Sequence, residues 1–204
     1  MPLSACAGFT AGLSETTARL DAFLERSLSA PRCVHSRAVA DLCGRLCLRF
    51  GCDPAVGYFT GLGHDAAREM PEEKLLAEAR ASGCPLDEYE EKNPVLLHAP
   101  VAAVILRRDF GVCDGEVLEA VRRHTLGCPD LRLLGKILFV ADYCEPNRKF
   151  IDRRFRSVCF SLPLDGMLVY ILDNEKARGH EIAPITRAMY DKLVKEKAGK
   201  SGEG

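Results

Sequence analysis

The chain has 204 residues, 47% of them hydrophobic and 28% charged, with no Trp and a formal net charge of -1. That length buries enough surface for one self-sufficient core, and the balance argues against both a disordered chain and a membrane-embedded one. Near-neutral charge removes the chain-wide basic field that nucleic acid needs, so any polyanion the protein handles is small.

Helical periodicity runs from end to end, punctuated by Pro and Gly where helices start and stop. Residues 1–13 read as an N-terminal extension with neither the basic n-region nor the apolar stretch of a secretion signal. Ser14 is placed to cap a first helix reaching Ser29, and a second follows Pro31 and ends near Gly51. Pro54 to Leu62 reads as a short third helix leading into Gly63, His64 and Asp65. Pro71 to Ser82 is the next, closed by Gly83, and residues 87–93 form a polar connection.

Val95 to Phe110 follows and stops at Gly111, a glycine in the position that ends helices with a left-handed residue. Asp114 then caps a helix to about His124. Residues 127–130 make a turn, and Leu131 to Cys144 is a strongly apolar helix ended at Pro146. Leu164 to Ala177 and Pro184 to Glu196 read as two amphipathic helices, with a Gly- and Lys-rich, disordered tail over 198–204. No alternating strand pattern and no internal repeat appears. The expected fold is all-α, a single helical bundle over residues 14–197.

The sequence carries ten cysteines but no Cys-x-x-Cys pair. Cys43 and Cys47 stand one turn apart in an apolar stripe, which suits reduced core thiols in a cytoplasmic protein. No uninterrupted apolar run is long enough to span a membrane. Phe50, Phe59, Phe110 and Phe139 fall at helical spacing and read as core.

Four of the five histidines sit where a helix buries its apolar side or ends. His35 is in register with Val39, Leu42 and Leu46; His98 with Val95, Val101, Ala102 and Ile105; His124 with Val117 and Val121. Asp142 falls on the stripe of Leu134, Leu138 and Ala141. The fifth histidine, His180, reads as surface. A lone buried histidine is ordinarily satisfied by a backbone carbonyl. Four, together with two aspartates on inward faces, call for a shared partner, and a metal ion supplies one because buried imidazole and carboxylate are otherwise expensive. Nitrogen and oxygen donors of this kind suit iron, manganese or zinc.

The order His35, His64-Asp65, Asp142 resembles the signature of the HD superfamily of metal-dependent phosphohydrolases. The closer similarity, over Pro31 to Phe150, is to its YqeK branch, enzymes that split diadenosine tetraphosphate symmetrically into two ADP. It is carried by Cys-Val-His-Ser-Arg around His35, Gly-His-Asp-Ala-Ala-Arg at 63–68 and Asn-Pro-Val-Leu-Leu-His-Ala-Pro at 93–100. Arg-Arg-His-Thr-Leu-Gly at 122–127 and Lys-Ile-Leu-Phe-Val-Ala-Asp-Tyr-Cys-Glu-Pro-Asn-Arg at 136–148 complete it. The resemblance implies an HD-type helical bundle with two iron ions, one held by His35, His64, Asp65 and Asp142, the other by Asp65, His98 and His124. Two ions together can share a hydroxide at neutral pH and neutralise phosphate oxygens.

Arg68, three residues after Asp65, is the expected cation beside the transferred phosphoryl group. Arg148 is expected to grip a second phosphate, and Thr125 with Gly127 makes a turn that a nucleotide could approach. Glu145 and Asn147 are candidates to orient ligands or contact sugar. The partner is thus a small dinucleotide, with neither nucleic acid nor membrane involved, and a homodimer is compatible with all of this. The same site could instead serve a nucleoside monophosphate or a guanosine-based alarmone, and a chain that kept metal only for structure would be a non-catalytic nucleotide-binding module. The sequence departs from the branch at Gly61 and Gly63, where bulkier apolar residues are usual, at Arg68 for a frequent lysine, at Gly135 for an acidic residue and at Asn147 for glycine. The two glycines before His64 are expected to loosen that helix end.

Overall fold

A computed structural model describes residues 12–83, 86 and 88–201. Every regular element among them is helical: α1 (Leu13–Ser27), α2 (Ala30–Phe50), α3 (Pro54–Gly63), α4 (Glu72–Ala81), α5 (Glu88–Lys92), a 3-10 turn (Pro94–Leu97), α6 (His98–Phe110), α7 (Gly115–Arg123), α8 (Leu133–Cys144), α9 (Arg153–Ser161), α10 (Leu164–Ala177) and α11 (Pro184–Ser201). Most of the N-terminal extension, residues 1–11, and the last part of the expected tail, 202–204, lie outside the described residues.

The start signals act through specific bonds. Asp53 accepts from the N–H groups of Ala55 and Val56 at the head of α3, where Pro54 sets the first turn, and Asp114 does the same for Glu116 and Val117 of α7. Each of these carboxylates satisfies donors that the first turn of a helix leaves without a partner. Gly51 and Gly111 end α2 and α6 with φ of 79° and 66°, the left-handed region a side chain disfavours.

Five features differ from the sequence reading. Gly12, not Ser14, occupies the N-cap of α1, and its carbonyl accepts from the Thr16 N–H. The polar connection holds a short helix, α5, and the expected helix from Val95 is a 3-10 turn up to Leu97, with α6 beginning at His98. Helix α9 was not anticipated: Asp152 caps it through the Phe155 N–H, but basic residues interrupt its apolar stripe. Finally, α11 continues to Ser201, past the point where the tail was expected to begin.

Leu20, Leu24, Phe59, Leu106, Leu138 and Met167 lie in the centre of the molecule without exposed surface. Helices α2 and α3 form its most extensive packing pair, and α8 crosses both. Their close approach depends on glycine. A Cβ on Gly61 would stand 2.8 Å from the Ala40 Cα, and one on Gly57 would stand 2.9 Å from the Cys47 Cβ. The expectation that Gly61 loosens the helix end is therefore reversed, because the missing side chain lets two backbones meet. Gly63 abuts the methyls of Leu106 and Leu20 in the same way.

Candidate metal centre

Five helices deliver six side chains to one place. His35 comes from the second turn of α2, His64 and Asp65 from the end of α3, His98 from the first residue of α6, His124 from the end of α7 and Asp142 from the last turn of α8. All but Asp142 are buried, and Asp142 is 21% exposed at its side chain.

Three of the imidazoles are fixed by one local device. The Nδ1 of His64 lies 2.7 Å from the Gly61 carbonyl, that of His98 2.5 Å from Val95 and that of His124 2.8 Å from Val121, in each case three residues back. In each case the histidine follows a helical turn and bonds a carbonyl of that turn with its own Nδ1–H. His35, in mid-helix, points its Nδ1 at Glu145 Oε1, 3.2 Å away. Each ring thereby bonds outward through Nδ1 and turns Nε2 inward.

The inward nitrogens face carboxylates. His35 Nε2 and His64 Nε2 lie 3.1 and 3.7 Å from Asp142 Oδ1, and 3.9 and 3.7 Å from Asp65 Oδ2. On the other side, His98 Nε2 and His124 Nε2 lie 3.2 and 3.6 Å from Asp65 Oδ1. The two oxygens of Asp65 thus serve two separate pairs of histidines.

The donor set fits a divalent cation. His35 Nε2 and His64 Nε2 are buried without a well-directed hydrogen bond, and at His35 this is so even though the Asp142 oxygen is near. His98 Nε2 and His124 Nε2 face each other at 3.3 Å. With both protons committed to carbonyls, two lone pairs at that separation repel unless a cation lies beside them. His35, His64 and Asp142, and again His64, Asp65 and His124, present atoms close enough together to share an ion.

The electrostatics agree. Burial holds His64 down to about 4, so it is neutral and free to donate a lone pair. Burial also works against a charged His35, but the carboxylates of Asp142 and Glu145 that its two ring nitrogens face outweigh it and raise the ring to about 9. Asp65 is pushed up by burial, yet His64, His124 and His98 hold its carboxyl well below the usual range. Asp142 is likewise held low against burial, by His35, His64 and Arg148.

The cations around the centre are arranged differently from expectation. Arg68 Nε approaches Asp65 Oδ2 at 4.0 Å. Arg148 does not stand free to grip a phosphate: its Nη2 donates to Asp142 Oδ1 and its Nε to the Asp142 carbonyl, which fixes a candidate ligand in place. Gly127 is not open to a ligand either. It is buried with φ of 63°, and Met189 fills the space where its Cβ would stand, so its bare backbone serves packing against α11. Thr125 is half-buried and borders a cavity.

Two residues of the site were missed or underweighted. Arg32, three residues before His35 on α2, brings Nη1 within 3.8 Å of Asp65 Oδ2, opposite Arg68. The Arg-x-x-His spacing was its signal, since residues three apart share a helix face. Glu145, 2% exposed, orients His35 through one oxygen and takes the Asn147 N–H at 2.5 Å with the other. Only the position after Asp142 hinted at it.

The family model for the HD domain matches residues 32–147. The symmetrical bis(5'-nucleosyl)-tetraphosphatase of Bacillus subtilis is 37% identical over 129 residues, 63% of this chain and 69% of that protein. The protein of the same name from Halalkalibacterium halodurans is 32% identical over 175 residues, 83% of this chain and 92% of its own length. A crystal structure described as a predicted HD superfamily hydrolase involved in NAD metabolism, from Clostridium acetobutylicum, superposes with a TM-score of 0.81 at 28% identity, covering 88% of this chain and 97% of that one. With more than half of the chain matched, and all six candidate ligands inside the matched segment, the chain belongs to the HD-domain phosphohydrolase family, in the YqeK group.

Proposed function

We propose that the protein hydrolyses diadenosine tetraphosphate symmetrically, releasing two ADP, at a centre of two metal ions that Asp65 bridges, with iron as the resident metal. The observation that carries this reading is the division of Asp65, whose Oδ2 faces His35 and His64 while Oδ1 faces His98 and His124. Both closely similar relatives named above bear the name of that activity. When bound, two such ions activate water and neutralise phosphate oxygens during an in-line displacement.

The side chains supply the rest. His35, His64 and Asp142 would hold one ion and His98 and His124 the other, their tautomers preset by the carbonyls behind them. Arg148 keeps Asp142 aimed, and Glu145 does the same for His35. Arg32 and Arg68 converge on the exposed side of Asp65, where their charge meets phosphate oxygens and offsets negative charge as the bond breaks. A reducing cytoplasm suits the chain, since the eight cysteines among the described residues are free thiols.

The test is product identity. Iron-loaded protein given diadenosine tetraphosphate should yield ADP alone. A mixture of AMP and ATP would overturn the symmetrical cut, and an untouched dinucleotide beside a hydrolysed monophosphate would overturn the substrate.

A further inference from the structure

Arg32 and Arg68 reach Asp65 from different parts of the chain. Arg32 stands in the first turn of α2, and Arg68 lies in the turns between α3 and α4. Among the described residues neither guanidinium is held by a hydrogen bond, so each stands where its backbone puts it. The turns that carry Arg68 are tied to the end of α3. The Ala66 N–H donates to the Gly63 carbonyl, the Arg68 N–H to that of Asp65 and the Met70 N–H to that of Ala67. Arg32 is farther from such a tie, since α2 meets Gly61 of α3 at Ala40, about two turns beyond it.

The link between the two arginines is Glu69. Its Oε2 accepts the Ser29 N–H at 2.5 Å, and its Oε1 accepts the Ser29 hydroxyl at 2.7 Å. Ser29 is the N-cap of α2, yet its hydroxyl makes no bond back to the helix, because the carboxylate takes it. A carboxylate at this place also faces the positive end of α2. Glu69 directly follows Arg68, and Ser29 lies one turn before Arg32, so the clamp joins the chain beside one arginine to the chain beside the other. The Ser29 hydroxyl and amide hold the Glu69 carboxyl below its usual range, and the charge of Arg32 adds to this while that of Asp65 opposes it. Glu69 therefore stands close to both without bonding either. Its hydrogen bonds go to Ser29, which leaves the Arg32 guanidinium open to a phosphate.

We propose that Glu69 is a positioning residue for phosphate recognition: by clamping Ser29 it sets Arg32 opposite Arg68 beside Asp65 Oδ2, without touching the substrate itself. The proposal rests on the nucleotide-hydrolase reading above and adds what places one of its two phosphate-facing cations.

A double-mutant cycle on the metal-loaded protein tests it with two readouts, kcat/KM for diadenosine tetraphosphate and the Kd for pyrophosphate. Glu69→Ala should lower kcat/KM about tenfold and raise the pyrophosphate Kd about as much, with metal content unchanged, because a misplaced cation loses much of its effect. The same change made in an Arg32→Ala background should do little, since the cation that Glu69 positions is gone. A merely structural role would act independently of Arg32, leaving the double variant about tenfold below Arg32→Ala alone. That result, or wild-type kinetics and affinity in Glu69→Ala, overturns the proposal. If Glu69→Ala does not give the wild-type circular dichroism spectrum, Glu69→Gln takes its place in the cycle. It keeps one acceptor for Ser29 but not the charge or the second bond, and the same two outcomes decide. An uncut dinucleotide with the pyrophosphate cycle coupled through Arg32 would sink the substrate and keep the role of Glu69; hydrolysis with independent losses would do the reverse.

Discussion

Asp65 divides the candidate centre, and the two arginines beside its Oδ2 are the cations placed to meet a phosphate. Arg32 and Arg68 both approach its Oδ2, at 3.8 and 4.0 Å, and neither donates to it within hydrogen-bond distance. Their charge is thus available to a substrate. Arg32→Ala should lower kcat/KM by about 10²-fold, the scale of losing one well-placed charge-stabilising donor, while metal content stays at the wild-type level. Arg32→Lys should recover part of the loss, because it restores charge but not the planar fork. Unchanged kinetics in the alanine variant would return Arg32 to the solvated surface. The six candidate ligands were legible in the sequence because each sat on an inward face or at a helix stop. Arg32 was not read, since an arginine near a helix start is commonplace and its spacing to His35 gains meaning only from the position of Asp65 in space. Arg148 is a related case: sequence shows a cation after a helix end, but not that the chain folds back and pairs it with Asp142.

At the scale of elements, the site depends on how closely α2 and α3 approach, since His35 rides on one and His64 with Asp65 on the other. Gly61→Ala would drive a methyl into the Ala40 backbone, 2.8 Å away, where nothing flexible can yield. Overpacking of this kind costs about 1–3 kcal/mol. We expect a lowered melting temperature together with weaker metal binding, measured by calorimetry and by elemental analysis after dialysis. A variant that melted like wild type would mean that the helices separate freely. Sequence reading could name Gly61 as unusual but took its sign the wrong way, because a glycine's cost in freedom is local and visible, whereas the backbone it lets in is that of Ala40 on the preceding helix. Helix α9 was invisible for a complementary reason. Its Arg156 guanidinium is spent on the carbonyls of Cys144, Glu145, Arg148 and Ile151, so a residue that reads as polar surface is what holds the loop after α8.

For the whole molecule, the buried histidines link stability to pH in opposite senses. His64 is held down to about 4 in the fold against an ordinary 6.5, so the unfolded chain binds a proton first as pH falls. Stability is then lost between about 6.5 and 4, by an amount on the order of 2–3 kcal/mol. His35 is held up at about 9, so its contribution is complete below 6.5 and is lost as pH rises towards 9. Metal-free protein should therefore show a melting temperature that falls on both sides of about pH 6.5. If His35 is a ligand, a bound metal ion would take the place of its proton, and the loaded protein should keep its stability on the alkaline side. A melting temperature that fell equally from pH 6.5 to 9 with and without metal would show that His35 is not a ligand.

The most direct measurement is anomalous diffraction from a crystal grown with iron or manganese, recorded at that metal's absorption edge. Two peaks are expected, one among His35, His64 and Asp142 and one beside His98 and His124, with an Asp65 oxygen at each. A single peak with His98 and His124 left unligated, or no peak within the six side chains, would contradict the two-ion centre.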